Sequence, residues 1–215
     1  MAKETCYLPC CKVSKDETNT IKKRKYSNIA SLFSEEFADK PVAFGLSMVI
    51  NTVAKKFKDV PIISTNGVYK WMQKKHQGSE IEDFLICDCR PREEYVVSHL
   101  PGAIQLNPDT IDMREVQKVL QQHAFNNKFA VDAKVKVVMY CAVGYRSSAL
   151  INRYLESQKK KIIDDDHFEF VNMEGSIFKW GNEKRPMVDD QDEITVMVHP
   201  FSPVWGKLLF KEIRH

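Results

Sequence analysis

Val135-Lys136-Val137-Val138-Met139-Tyr140-Cys141-Ala142-Val143-Gly144-Tyr145-Arg146-Ser147-Ser148 is the stretch whose reading settles the architecture of this chain. Its first six residues are mostly apolar and β-branched, the pattern of a strand buried on both faces. From Arg146 to Gln158 the spacing turns helical, so a thiol ends the strongest strand and a helix follows within one short turn. The six-residue arc from Cys141 to Arg146 can curl so that several backbone N–H groups point inward. With the positive end of the following helix, those donors make an anion cradle. The same field favours the thiolate of Cys141. Gly144 permits a backbone angle that other residues resist, and Arg146 adds a fixed guanidinium that can hold an anionic group. Cys141 is therefore the candidate nucleophile. Ala142, Val143, Gly144, Tyr145, Arg146 and Ser147 form the candidate substrate-binding arc. The plainer alternative is a buried cysteine before an ordinary turn, which a thiol, a glycine and an arginine at this spacing argue against.

Outward from this stretch, strands and helices alternate. Pro61 to Ile63 reads as a short strand, and Ser64 or Thr65 can cap a helix reaching about His76. Phe84 to Asp88 is a strand, and Pro91 can open a short helix. Ala103 to Leu106 follows as a strand, then a helix from Asp109 or Thr110 through Gln122. Beyond the central stretch come a strand at Phe168 to Met173 and a short helix at Ile177 to Trp180. Ile194 to Val198 and Trp205 to Ile213 predict a last strand and a last short helix. This order predicts an α/β domain over 60–188 with a mostly parallel sheet. In such sheets ligands bind where loops leave the carboxyl ends of strands, which is where Cys141 lies.

Ahead of the domain, Leu46, Val49, Ile50, Val53 and Phe57 recur at helical spacing, and Pro41 and Gly45 separate this helix from a shorter one near 29–38. The 29–59 segment is thus a helical extension expected to dock on the domain, and 189–215 is a C-terminal extension. Residues 1–28 lack periodicity and read as a flexible basic arm holding Cys6, Cys10 and Cys11. The whole chain of 215 residues carries +3, but 1–25 alone carry +4, so the body is near neutral. That balance argues against a nucleic-acid binder. Lys22-Lys23-Arg24-Lys25 fits a solvated charge run, a nuclear address or an anionic-surface contact. Cys10 and Cys11 beside it fit exposed thiols or a lipid anchor. The longest apolar run, Val42 to Ile50, is about half the ~20 residues of a membrane-spanning helix. No secretory signal is readable at the N-terminus, which predicts a cytoplasmic protein whose six cysteines are reduced thiols.

Cys141-Ala142-Val143-Gly144-Tyr145-Arg146 resembles the C-x-x-G-x-R active loop of single-domain rhodaneses. Asp88-Cys89-Arg90, Glu94-Tyr95 and His99-Leu100-Pro101-Gly102-Ala103 resemble the upstream signature of that family, and Asn172-Met173-Glu174-Gly175-Ser176-Ile177 with Trp180 its closing one. Ser98 and Ser176 depart from it, each standing where the family usually has Gly. The resemblance implies a central five-stranded parallel sheet flanked by helices. It implies a sulfurtransferase in which Cys141 takes the outer sulfur of thiosulfate or a persulfide. Cyanide, glutathione or a protein thiol would then accept that sulfur, with no metal or organic cofactor. Rhodanese-fold phosphatases and arsenate reductases use a loop one residue longer to cradle a tetrahedral oxyanion, and the four residues between Cys141 and Arg146 argue against that chemistry. A non-catalytic binding module is the other alternative. Asp88 is expected near the Cys141 loop, supporting it together with Arg90 or capping the next helix. Arg90 is expected to pair with Glu94, four residues on. His99 reads as a hydrogen-bonded turn residue, Trp180 as packing, and Cys87 and Cys89 as core thiols.

Overall fold

The computed structural model describes Phe33 and residues 42–78, 84–110, 112–130, 134–164 and 166–215. The strands β1 (Ile62–Ile63), β2 (Phe84–Asp88), β3 (Ile104–Gln105), β4 (Val135–Tyr140) and β5 (Phe168–Met173) form one parallel sheet in the order β1-β5-β4-β2-β3. The strand that carries Cys141 at its end is thus central. Asp88 lies beside Tyr140 on one side of it, and Asn172 beside Met139 on the other.

Alternation along β4 divides the core. Val135, Val137 and Met139 face α4 (Met113–Asn126) and α5 (Tyr145–Lys159), through residues such as Val116, Leu120, Leu150 and Tyr154. Val138 and Tyr140 face the other layer. That layer holds α1 (Phe44–Lys56), α2 (Thr65–His76) and α6 (Ser176–Asn182). Each fully buried aliphatic or aromatic side chain here contributes roughly 1.5–3 kcal/mol of transfer free energy. α1 docks through Leu46 and Val53, both buried, so the helical extension joins the domain. Gly45 lies in the first turn of α1 and not ahead of it, and a side chain there would meet Leu208 Cδ2 at 3.2 Å.

Capping shows where the sequence expectations shift. Ser64 caps α2, accepting the Gly67 N–H. The helix expected from Asp109 or Thr110 starts later, because it is the Asp112 side chain that accepts the Arg114 N–H, and it runs on to Asn126. Pro91 is the cap residue of the four-residue α3 (Arg92–Tyr95) and not its first turn. β6 (Met187–Val188) has no counterpart among the expected strands. It pairs antiparallel with β7 (Ile194–Thr195), which is shorter than the expected 194–198. The expected helix over Trp205 to Ile213 divides into two 3-10 turns, Trp205–Leu208 and Lys211–Ile213, because Leu209 between them is extended. Apart from buried Phe33, the expected 29–38 helix lies outside the described residues, as does the 1–28 arm with its thiols. Among the described residues, no helix is long and apolar enough to cross a membrane.

Candidate active site

The loop after β4 is clamped by the start of α6. The Ile177 and Phe178 amides donate to the Cys141 and Ala142 carbonyls at 3.1 and 3.0 Å. The Cys141 amide donates to Ser176 Oγ at 3.2 Å, and that hydroxyl donates to the Met173 carbonyl at 3.1 Å. Ser176 has φ +51°, in the left-handed region that favours glycine. This accounts for the family's glycine at the position, and the serine hydroxyl supplies an acceptor that a glycine lacks.

Gly144 has φ +100° and stands at the N-cap of α5. Its N–H donates to Cys141 Sγ at 3.2 Å, the loop amide aimed at the candidate nucleophile. A side chain there would begin 3.0 Å from Asn172 Nδ2, so conformation and space both call for glycine. Ser147 is buried and donates to Asn172 Oδ1 at 2.6 Å, so it braces the loop against β5 and is not brought to the cavity.

Arg146 does not reach out of the loop unaccompanied. Its two terminal nitrogens donate to the two carboxylate oxygens of Glu94 at 2.6 and 2.9 Å. Burial works against the Arg146 charge, but Glu94 and the adjacent Cys141 sulfur outweigh it and hold the guanidinium more firmly protonated than usual. The expected Arg90–Glu94 pair is not formed, because Arg90 is taken by Asp88. Its Nε and one terminal nitrogen donate to the Asp88 carboxylate at 2.8 and 2.6 Å, and both residues are fully buried. Asp88 therefore ties down the end of β2 through Arg90 and does not cap α3. His99 stacks on Tyr95, and its Nδ1 lies 3.1 Å from the Tyr95 carbonyl. Trp180 is packed in the core, donating to the Pro186 carbonyl. Cys87 and Cys89 are core residues, and burial pushes both thiols well up, away from reactivity at neutral pH.

Cys141, Ala142, Val143, Tyr145 and Arg146 line one wall of a cavity of about 600 Å3. The opposite wall comes from both ends of the described chain: Met48, Val49, Thr52 and Val53 from α1, with Phe201 and Trp205 from the C-terminal segment. Phe201 lies over the Arg146 guanidinium at 4.9 Å. Tyr145 meets Phe57 edge to face, with ring centroids 5.3 Å apart, and its hydroxyl accepts from the Lys56 amine. Glu94, Asn172 and Ser176 were not among the predicted site residues, although each lies in a family signature. Phe201 and Trp205 carried no such signal.

A parallel α/β sheet with a cysteine loop at the end of its central strand, and an arginine at the start of the next helix, defines a class of thiol-bearing α/β domains. Residues 64–183, more than half of the chain, match the family model of the rhodanese-like domain, and the chain belongs to that family. No curated protein matches. Among solved structures, it is similar to a yeast protein tyrosine phosphatase of the rhodanese family, at 16% identity and a TM-score of 0.45, covering 63% of this chain and 90% of that one. A rhodanese-related protein from Thermoplasma volcanium is 22% identical, with a TM-score of 0.39, over 60% of this chain and 97% of that one. A thiosulfate sulfurtransferase from Pseudomonas aeruginosa is 15% identical, with a TM-score of 0.44, over 79% of this chain and 27% of that one.

Proposed function

We propose that this chain is a sulfurtransferase that carries a sulfane sulfur as a Cys141 persulfide. The Cys141 thiolate attacks the outer sulfur of thiosulfate or of a persulfidated thiol. The new S–S bond forms as the donor's own S–S bond breaks, and sulfite or a thiolate leaves. A thiophilic acceptor (cyanide, glutathione or a protein thiol) then takes the outer sulfur and returns Cys141 to a thiolate. The reaction needs no metal or organic cofactor.

The observation that carries this reading is the Gly144 N–H directed at Cys141 Sγ from 3.2 Å, on the floor of an open cavity. A preorganised donor there stabilises the thiolate before attack and after release. The four-residue spacing between Cys141 and Arg146 supports sulfur over a tetrahedral phosphate. Because Glu94 occupies both terminal nitrogens of Arg146, a persulfidated thiol suits the site better than the thiosulfate dianion. Free thiols at Cys87, Cys89 and Cys141 support a cytoplasmic setting.

Cyanolysis by wild type beside Cys141→Ser tests the reading. Thiocyanate formation by wild type alone is the expected result, with mass spectrometry showing Cys141 heavier by one sulfur after donor treatment. Equal turnover by the two proteins overturns the nucleophile, and an inert Cys141 assigns the chain to the binding modules.

A further inference from the structure

The cavity over Cys141 has a wall the rhodanese-like match does not account for. Met48, Val49 and Val53 lie before residue 64, and Phe201 and Trp205 lie after residue 183. Met48 is 56% exposed, Phe201 48% and Trp205 36%. Scattered exposed apolar residues are ordinary, but several large ones gathered around one concavity mark a binding surface. A cavity of about 600 Å3 falls within the roughly 300–1,000 Å3 of small-molecule sites.

The charges at this site are already engaged. The Arg146 guanidinium is neutralised by Glu94, and the Lys56 amine sits on the Tyr145 hydroxyl and over its ring. An anionic ligand therefore finds a cation that already has a partner, whereas an apolar one finds methionine, valine and aromatic surface beside the sulfur. Resting on the sulfurtransferase reading, we infer that this cavity binds the apolar body of a low-molecular-weight thiol, the acceptor of the Cys141 sulfur. The acceptor thiolate attacks the outer sulfur of Cys141–S–SH, a new S–S bond forms, and the Cys141 S–S bond breaks. The products are the acceptor persulfide, R–S–SH, and the Cys141 thiolate. The outer sulfur keeps its proton, and no external oxidant or reductant enters. The α1 and C-terminal walls thereby set acceptor specificity.

The test uses full-length protein loaded with sulfur on Cys141, with 2-phenylethanethiol and 2-hydroxyethanethiol as acceptors and rates expressed per thiolate. The expected result is a kcat/KM about tenfold or more higher for the phenyl compound. Met48→Glu and Trp205→Ala, both at exposed positions, each bring that ratio towards one. A ratio near one in wild type, or a ratio unmoved by both substitutions, overturns the inference while leaving the persulfide chemistry intact. In parallel, 2-phenylethyl methyl sulfide, which has no thiol, is titrated calorimetrically into Cys141→Ser protein and its Met48→Glu derivative. Binding that Met48→Glu abolishes supports the apolar site even if Cys141 takes up no sulfur. Absence of binding in Cys141→Ser protein overturns it.

Discussion

Glu94 and Arg146, 52 residues apart, meet in an ion pair of two parallel hydrogen bonds at the rim of the Cys141 cavity. The carboxylate is buried and the guanidinium side chain is 23% exposed, so the pair links the short α3 to the first turn of α5. Glu94→Gln removes the counter-charge from a largely buried cation. Stability is expected to fall by about 3 kcal/mol or somewhat less, since Arg146 keeps some contact with water. The freed guanidinium should then attract thiosulfate, lowering its KM in cyanolysis. Urea denaturation reads the first effect and a thiosulfate titration the second. An unchanged KM shows that Arg146 does not face the donor.

Gly144→Ala tests the one loop amide that points at the sulfur. A Cβ at φ +100° costs about 1–2 kcal/mol and meets Asn172 Nδ2 at 3.0 Å. Displacing the Gly144 N–H from Sγ should lower cyanolysis about a hundredfold, the usual cost of one such donor. Cys141 should remain present and alkylatable. A variant that keeps full turnover rules out a catalytic part for this amide.

Ser176 holds a left-handed backbone angle while its hydroxyl accepts the Cys141 N–H. Ser176→Ala loses the acceptor and keeps the conformational cost; Ser176→Gly loses the acceptor but relieves the cost. The glycine variant should therefore be more stable than the alanine variant by about 1 kcal/mol in thermal or denaturant unfolding. Equal stability would show that backbone strain at this position is negligible.

His99 gives the fold an acid-side sensitivity. Burial is the main cause that pulls its pKa below the ordinary 6.5, against a smaller opposing effect of its bond to the Tyr95 carbonyl. The unfolded chain therefore takes up the proton at a pH where the folded chain does not. The contribution of neutral His99 is complete above 6.5 and is lost as pH falls from there towards the folded-state value. His76 and His123 shift in the same direction, again through burial. Denaturant midpoints should stay flat above neutrality and decline below 6.5, and His99→Gln should reduce that slope without abolishing it. A slope unchanged by the substitution would remove His99 from the account.

The parts of this molecule legible in the sequence are those governed by short-range pattern. Val135 to Tyr140 announces a buried strand by composition alone, and Gly144 after Cys141 announces the turn that the positive φ requires. Asp112 shows the limit of this kind of reading. Asp109 and Thr110 are plausible caps by residue type, and only the folded chain shows that the Asp112 side chain is the one that meets an amide of the helix. β6 is two residues long, too short for any alternation to register, and its partner β7 was legible only as a longer strand. The partners of Arg146 and Arg90 were beyond reach for a different reason. Helical spacing suggested Arg90 with Glu94, but a carboxylate two residues away captured Arg90 first, and Glu94 turned to a cation in a distant element. The outer wall of the cavity bears no signature, because apolar residues at helical spacing look alike whether they face the core or a ligand.

Gly45 lies so close to Leu208 that an added Cβ would stand 3.2 Å from its Cδ2, and this approach of the two ends of the described chain has a consequence for synthesis. A nascent chain has released β4 and the cysteine loop long before Phe201 and Trp205 leave the ribosome. Until then the Cys141 sulfur has no outer wall beside it from the C-terminal side. The Cys141 thiol is thus born open, and the finished cavity is among the last features of the molecule to exist. A message cut short before those two aromatic residues would yield a chain that has Cys141 but lacks the C-terminal wall of its cavity.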